Sequence, residues 1–202
     1  MVINPAEMDP LGAYTFATSL LVPRPIAWVG SRALDGTDNL APFSYFMGVS
    51  TRPPSIAISV ARGRRGALKD TASNILQTEV FTVSMVSHHL VTPMVQSSLP
   101  HAPDVSEFEE TTLEAVDGEL VSAPRPVKAL AAMECRLVHV HDMETTHLFV
   151  GEVLRYHVDD SILRTNDRGH MFVDLEGLDP VGRLGAYDYC RITEVFEAKA
   201  QK

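Results

Sequence analysis

The chain has 202 residues, 45% of them hydrophobic and 21% charged, which suits a globular protein with a buried core and excludes a disordered chain. Its formal net charge is −9, so the surface as a whole repels phosphate backbones and nucleic acid is excluded as a general partner. Two cysteines, Cys135 and Cys190, without a Cys-x-x-Cys, fit free thiols in a reducing compartment better than a disulfide framework, with a single bridge left open. The N-terminal MVINPAEMDP shows no basic segment leading into an apolar run. No stretch approaches the roughly 18 to 20 apolar residues of a membrane span, and the expectation is a cytoplasmic protein with no membrane contact.

No internal repeat or low-complexity linker interrupts the chain, so one domain over 1–202 is the default. Residues 23–31 (PRPIAWVGS) predict a strand, ended by the turn-forming Leu34-Asp35-Gly36-Thr37. Residues 39–50 mix aromatic and apolar side chains but are broken by Pro42 and Gly48, and Pro53-Pro54 blocks a helix before a buried strand over 55–61. A loop, RGRRGAL, precedes the best helical pattern: from Leu68 the apolar Ala72, Ile75 and Leu76 follow at +4, +7 and +8, with Asp70 or Thr71 as cap. Residues 79–86 alternate with period two as a strand, 88–97 read as a short helix, and 99–126 form a Pro-rich, acidic excursion. Residues 132–142 and 147–158 predict a long antiparallel hairpin about Met143–Thr146, and the last third is read as irregular. Strands dominate, which implies an antiparallel barrel or sandwich with one or two helices packed on it.

The densest basic segment places Arg62, Arg64, Arg65 and Lys69 between a buried strand and a helix start. A phosphate site needs this combination of cations, glycines that let amides approach, and a helix N-terminus; a solvated basic loop is the alternative. No G-x-x-x-x-G-K-[ST], G-x-G-x-x-G or G-x-S-x-G occurs, which disfavours a P-loop, a Rossmann domain and a hydrolase. Phe43, Tyr45 and Phe46, set among Pro42, Ser44 and Ser50, offer a surface for a planar heteroaromatic ligand or else an edge strand with a proline bulge. His139, His141 and His147 raise the alternative of a barrel holding a metal, although no acidic residue stands at a helpful spacing and the predicted metal site is none.

Taken together and in order, PRPIAWVGS, DNLAPFSYFMGVSTRPPSIAISV, LKDTASNI, EVFTVSMV, ECRLVHV, HLFVGEVLRYHV and PVGRLGAYDY resemble the flavin reductase-like FMN-binding proteins. The resemblance spans nearly the whole chain. It implies a mainly β fold, an antiparallel, Greek-key-like FMN-binding split β-barrel, working as a homodimer. It places Asn39, Leu40, Ala41, Pro42 and Ser44 along the isoalloxazine ring, and Ser59, Ala61, Arg62, Lys69, Asp70, Thr71 and Asn74 around the ribityl chain and phosphate. His147 matches a histidine near the reactive edge of the flavin in related reductases, here preceded by Glu144-Thr145-Thr146 where many relatives carry an acidic residue, and Tyr187 is a second candidate for the pocket. FMN, with FAD as an alternative, NADH or NADPH as donor, and free flavin, an oxygenase partner or another acceptor complete the expectation. An FMN-binding electron carrier without NAD(P)H activity is the competing reading.

Overall fold

The computed structural model describes residues 1–63, 66–102 and 104–200; Arg64 and Arg65 of the basic segment lie outside the described residues. A 3-10 turn, Pro5–Glu7, leads into α1 (Pro10–Leu20), a helix with no counterpart in the sequence reading. Asp9 caps it, accepting from the N–H groups of Leu11 and Gly12, and Pro10 sits at its first position. Of its residues only Thr18 is buried, while Leu11, Tyr14, Phe16 and Leu20 face solvent.

β1 (Ala27–Arg32) and β2 (Asp38–Phe43) form the first hairpin. The ambiguous stretch 39–50 resolves into β2 and β3 (Phe46–Thr51), parted by the bend Ser44-Tyr45, and β3 pairs with β4 (Pro54–Ala61). Then come α2 (Asp70–Thr78) and β5 (Val80–Met85). Residues 88–97 hold a 3-10 turn, His88–Leu90, and α3 (Val91–Gln96). The acidic excursion contains α4 (Glu107–Glu110) and a ribbon of β6 (Ala115–Asp117) with β7 (Pro124–Pro126). β8 (Ala131–Met143) and β9 (Thr146–Val158) make the long hairpin; they pair out to Met143–Thr146, so only Glu144-Thr145 turn. The last third is more regular than expected: β10 (Leu163–Thr165) pairs with β11 (Met171–Val173), α5 (Leu175–Leu178) follows, and β12 (Val181–Arg183) pairs with β13 (Tyr189–Arg191).

Seven strands form one sheet in the order β2-β1-β5-β8-β9-β4-β3, antiparallel at every pairing. Its two edge strands, β2 and β3, are consecutive in sequence. The sheet therefore curls until its edges meet at Ser44-Tyr45; there the Ser59 N–H donates to the Tyr45 carbonyl at 2.9 Å, extending the β3–β4 pairing into the bend. No ladder joins β2 to β3, and that open seam is the split in the barrel.

Inside the curl lie Ile56, Ile58, Val60, Phe81, Val83 and Phe149, closed at one end by Ile75 of α2. Outside, Trp28 and Leu40 pack with Met94, Phe108 and Val181. Each large apolar side chain so buried stabilises the fold by about 1.5–3 kcal/mol, and the second cluster fastens the 88–126 region against β1 and β2. The Trp28 indole N–H donates to Ser97 Oγ at 2.9 Å, and the Leu40 N–H donates to the Glu107 carboxylate at 2.9 Å, which covers the β2 edge. Both cysteines are free, which rules out the bridge left open above.

Candidate functional site

Three clefts meet where β2 turns into β3. The first, about 320 Å³, runs between Asn39, Ala41, Pro42 and Phe43 of β2, the start of α2 at Lys69–Thr71, and the segment Ser97–His101 with Glu107. The second, about 180 Å³, shares Pro42, Phe43 and Ser98 with it and adds Tyr14, Ser44, Arg183 and Tyr189. The third, about 520 Å³, shares Ser44 and is mostly apolar, walled by Leu20–Pro25, Tyr45–Met47, Ala57, Ser59 and Leu148. Pro42, Phe43 and Ser44 thus link a polar end, a narrow middle and an apolar end into one groove.

The polar end is suited to an anion. α2 begins at Lys69 without a side-chain cap, so the N–H groups of its first turn carry no side-chain acceptor. Neither Asp70 nor Thr71 caps it; Asp70 is the first helical residue, and Thr71 Oγ1 accepts from Asn39 Nδ2 at 2.9 Å. Lys69 makes no ion pair among the described residues, and its ammonium lies 5.8 Å from the centre of the Phe43 ring. Burial pushes the Glu107 carboxyl above the usual range against the pull of the Leu40 N–H. His101 Nε2 is buried in this cleft without a hydrogen-bond partner, a vacant polar contact for a ligand atom.

The apolar end is built around Arg24, a residue the sequence reading treated only as part of a strand. Its guanidinium donates to the carbonyls of Thr18, Leu21 and Leu184 at 2.6, 2.6 and 2.8 Å, and to Ser44 Oγ at 3.2 Å. One side chain therefore anchors the end of α1, the residue after β12 and the bend of the barrel. With one lone pair of Ser44 taken, its O–H remains available as a donor.

The family model described as flavin reductase like domain matches residues 19–173. A protein of Aquifex aeolicus is 38% identical over 193 residues, 94% of each chain. The structure of nitrilotriacetate monooxygenase component B from Bacillus cereus superposes with a TM-score of 0.90 at 32% identity, covering 98% of both chains. The Pseudomonas fluorescens 2-nitrobenzoate 2-nitroreductase NbaA gives 0.89 at 28%, covering 100% of this chain and 96% of the other. The chain belongs to the flavin reductase-like family. The mainly β, antiparallel split barrel expected for that family is the fold found here, and the open seam between β2 and β3 is its split.

Within the flavin reductase-like frame the predicted residues separate. Asn39, Ala41, Pro42, Lys69, Asp70 and Thr71 share the polar cleft, and Ser44 and Ser59 share the apolar one. Others point elsewhere. The Leu40 side chain is fully buried beside Trp28 and its N–H is already given to Glu107. Asn39 and Asn74 both donate to Ser31 Oγ at 3.2 Å, so these two amides, with Thr71, lash α2 to β1 and β2. Ala61 is exposed at the end of β4. Arg62 is paired with Asp142 at 2.7 Å on the β8–β9 hairpin. Tyr187 is 91% exposed in the turn between β12 and β13 and lines none of these clefts.

His147 is buried on the inner face of β9, stacked at 5.8 Å on Phe149, with Nε2 3.2 Å from Arg62 and Nδ1 unpartnered. Its neighbour Leu148, not His147, reaches the groove. The three-histidine metal alternative fails on the same alternation. His139 and His141 are exposed and pair with Val150 and Leu148, whereas His147 turns inward. No helix among the described residues is long and apolar enough to cross a membrane. Glu107, His101 and Arg24 were missed because each reaches the groove from a segment remote in sequence; only Pro23-Arg24-Pro25 carried a local signal, a cation held between two prolines.

Proposed function

We propose that the chain is an FMN-binding oxidoreductase of the NAD(P)H-dependent flavin reductase type, acting as a homodimer and passing electrons to free flavin, an oxygenase partner or another acceptor. The observation that carries this reading is the continuous groove from the uncapped start of α2 and Lys69, past Pro42–Ser44, into the apolar cleft. The polar end matches a phosphate, the narrow middle a ribityl chain, and the apolar end with its Ser44 donor a planar ring with a polar edge. The bound flavin supplies two-electron chemistry; the chain supplies position and electrostatics. Lys69 and the α2 amides fix the phosphate, and Ser44 and Ser59 present hydroxyls to the ring.

Exposed apolar residues support the homodimer. Met47 and Val49 lie on the open edge strand β3, Leu20, Leu21 and Val22 border the apolar cleft, and Val195 and Phe196 lie on the C-terminal arm. A second copy covering them shields the ring end of the groove from water.

The test is a visible spectrum of the purified protein before and after FMN loading and desalting, followed by NADH and NADPH oxidation on the same sample. Retained flavin bands and turnover with either nucleotide fit the proposal. Retained flavin without turnover favours an electron carrier, and a protein that takes up no FMN at millimolar concentration refutes the flavin assignment.

A further inference from the structure

Arg24 is 7% exposed, and among the described residues no carboxylate lies within ion-pair distance of it. Arg32, Arg62 and Arg191 pair with Asp38, Asp142 and Asp179, whereas Arg183 in the middle cleft is held by the Tyr189 hydroxyl and the Ala186 carbonyl. Burying a guanidinium without an anion is costly. The carbonyls of Thr18, Leu21 and Leu184 solvate the cation, but dipoles leave its net charge intact. Arg24 also forms part of the wall of the apolar cleft, whose lining contains no Asp or Glu. A positive charge among Leu20, Pro25, Phe46 and Leu148 is poorly screened, so its field acts on whatever occupies the cleft.

The occupant favoured by such a wall is planar and apolar, with negative charge on an edge. Resting on the flavin reading above, this distinguishes the two redox states of the cofactor. Two electrons and one proton turn the neutral oxidised isoalloxazine into an anionic reduced ring. We infer that Arg24 makes this cleft selective for the reduced flavin, whose negative edge supplies the counter-charge that no carboxylate among the described residues provides, and that Arg24 holds the Ser44 hydroxyl as donor to the same edge. Arg24 is then a positioning residue for Ser44 as well as the source of the selective field. The chain retains the reduced cofactor more tightly than the oxidised one, the order needed by a protein that delivers electrons to a bound acceptor rather than shedding reduced flavin into solvent.

The experiment is anaerobic titration of the full chain with oxidised FMN and, separately, with dithionite-reduced FMN at neutral pH. Reduced FMN is expected to bind at least about tenfold tighter, equivalent to a rise in midpoint potential of about 30 mV for a two-electron couple. Arg24→Gln is expected to abolish that ratio mainly by weakening the reduced form, Arg24→Lys to keep most of it, and Ser44→Ala to reduce it while retaining the charge. Equal affinity of the wild-type protein for both forms overturns the inference without recourse to any variant, as does a ratio that survives Arg24→Gln. Failure to bind either form is a different result, and it overturns the flavin reading on which the inference stands.

Discussion

Glu134 gives the sharpest test of how the fold fastens the acidic excursion to the main sheet. It is fully buried in β8, where Oε1 accepts from the Glu119 N–H at 2.8 Å and lies 2.5 Å from His157 Nε2, and Oε2 accepts from the N–H groups of Leu120 and Val121 at 2.6 and 3.0 Å. Burial pushes the carboxyl up, but His157 and the backbone donors outweigh it and hold it below the usual range. Replacement by Gln, nearly isosteric, puts an NH2 group against one or two of these donors and removes the charge that strengthens the rest. At about 1.5–3 kcal/mol for each charge-assisted bond lost, Glu134→Gln is expected to cost about 3–5 kcal/mol, a large part of the stability of a domain this size. Because the folded pKa lies below the unfolded value, Glu134's contribution is fully present above the unfolded pKa, about 4.3, and is lost as pH falls through the folded one. Urea unfolding of wild type and variant should show a gap at about pH 5 that narrows in stronger acid. A gap below about 1 kcal/mol at neutral pH, or one that widens as the pH falls below about 5, refutes the assignment.

Lys69→Ala should weaken FMN binding by about 10- to 100-fold, the loss of one charge-assisted contact, in a fluorescence-quenching titration. Arg62→Ala should change it by less than about threefold, because Asp142 already engages that charge. Gly151→Ala puts a Cβ 2.5 Å from Phe81 Cζ in the middle of the barrel and should cost about 1–3 kcal/mol by overpacking, seen as a lower urea midpoint. Burial drives the Cys135 thiol far above its ordinary range, so iodoacetamide should alkylate it only in denaturant, while half-buried Cys190 reacts in the native protein.

Elements whose side chains alternate against the core were legible in the sequence. β8 and β9, read as strand-like, pair along nearly their full length, with register shifts at Glu134/Cys135 and Leu137/His139, and the period-two alternation of 79–86 marked β5. α1 was not legible because its apolar residues face outward, leaving no inward stripe to set a period; only the Asp9-Pro10 pair marked its start. Residues 39–50 looked incoherent because the fold bends there, and Pro42, which lacks an N–H, is tolerated on an edge strand. The resemblance brought the right segments to the groove, yet it could not say which side chains face it. Asn39, Thr71 and Asn74 are spent on one another and on Ser31, a network that depends on how α2 lies across β1.

An acidic chain can bind an anionic cofactor if cations are gathered at the binding groove, and here Lys69 and Arg24 sit at opposite ends of one. They differ in environment, and that difference is measurable. Lys69 is exposed at the start of α2, so its pull on a phosphate is screened over a Debye length of about 10 Å at 0.1 M salt. Arg24 is enclosed by carbonyls and apolar side chains, where ions do not enter. Raising the salt from about 0.05 to 0.5 M should therefore weaken oxidised and reduced FMN binding in parallel, through Lys69, and leave their ratio nearly unchanged. In Lys69→Ala the salt dependence should flatten with the ratio intact; in Arg24→Gln the ratio should collapse with the salt dependence intact. If salt erodes the ratio itself, the selecting charge is exposed, and the division of labour between the two ends of the groove is wrong.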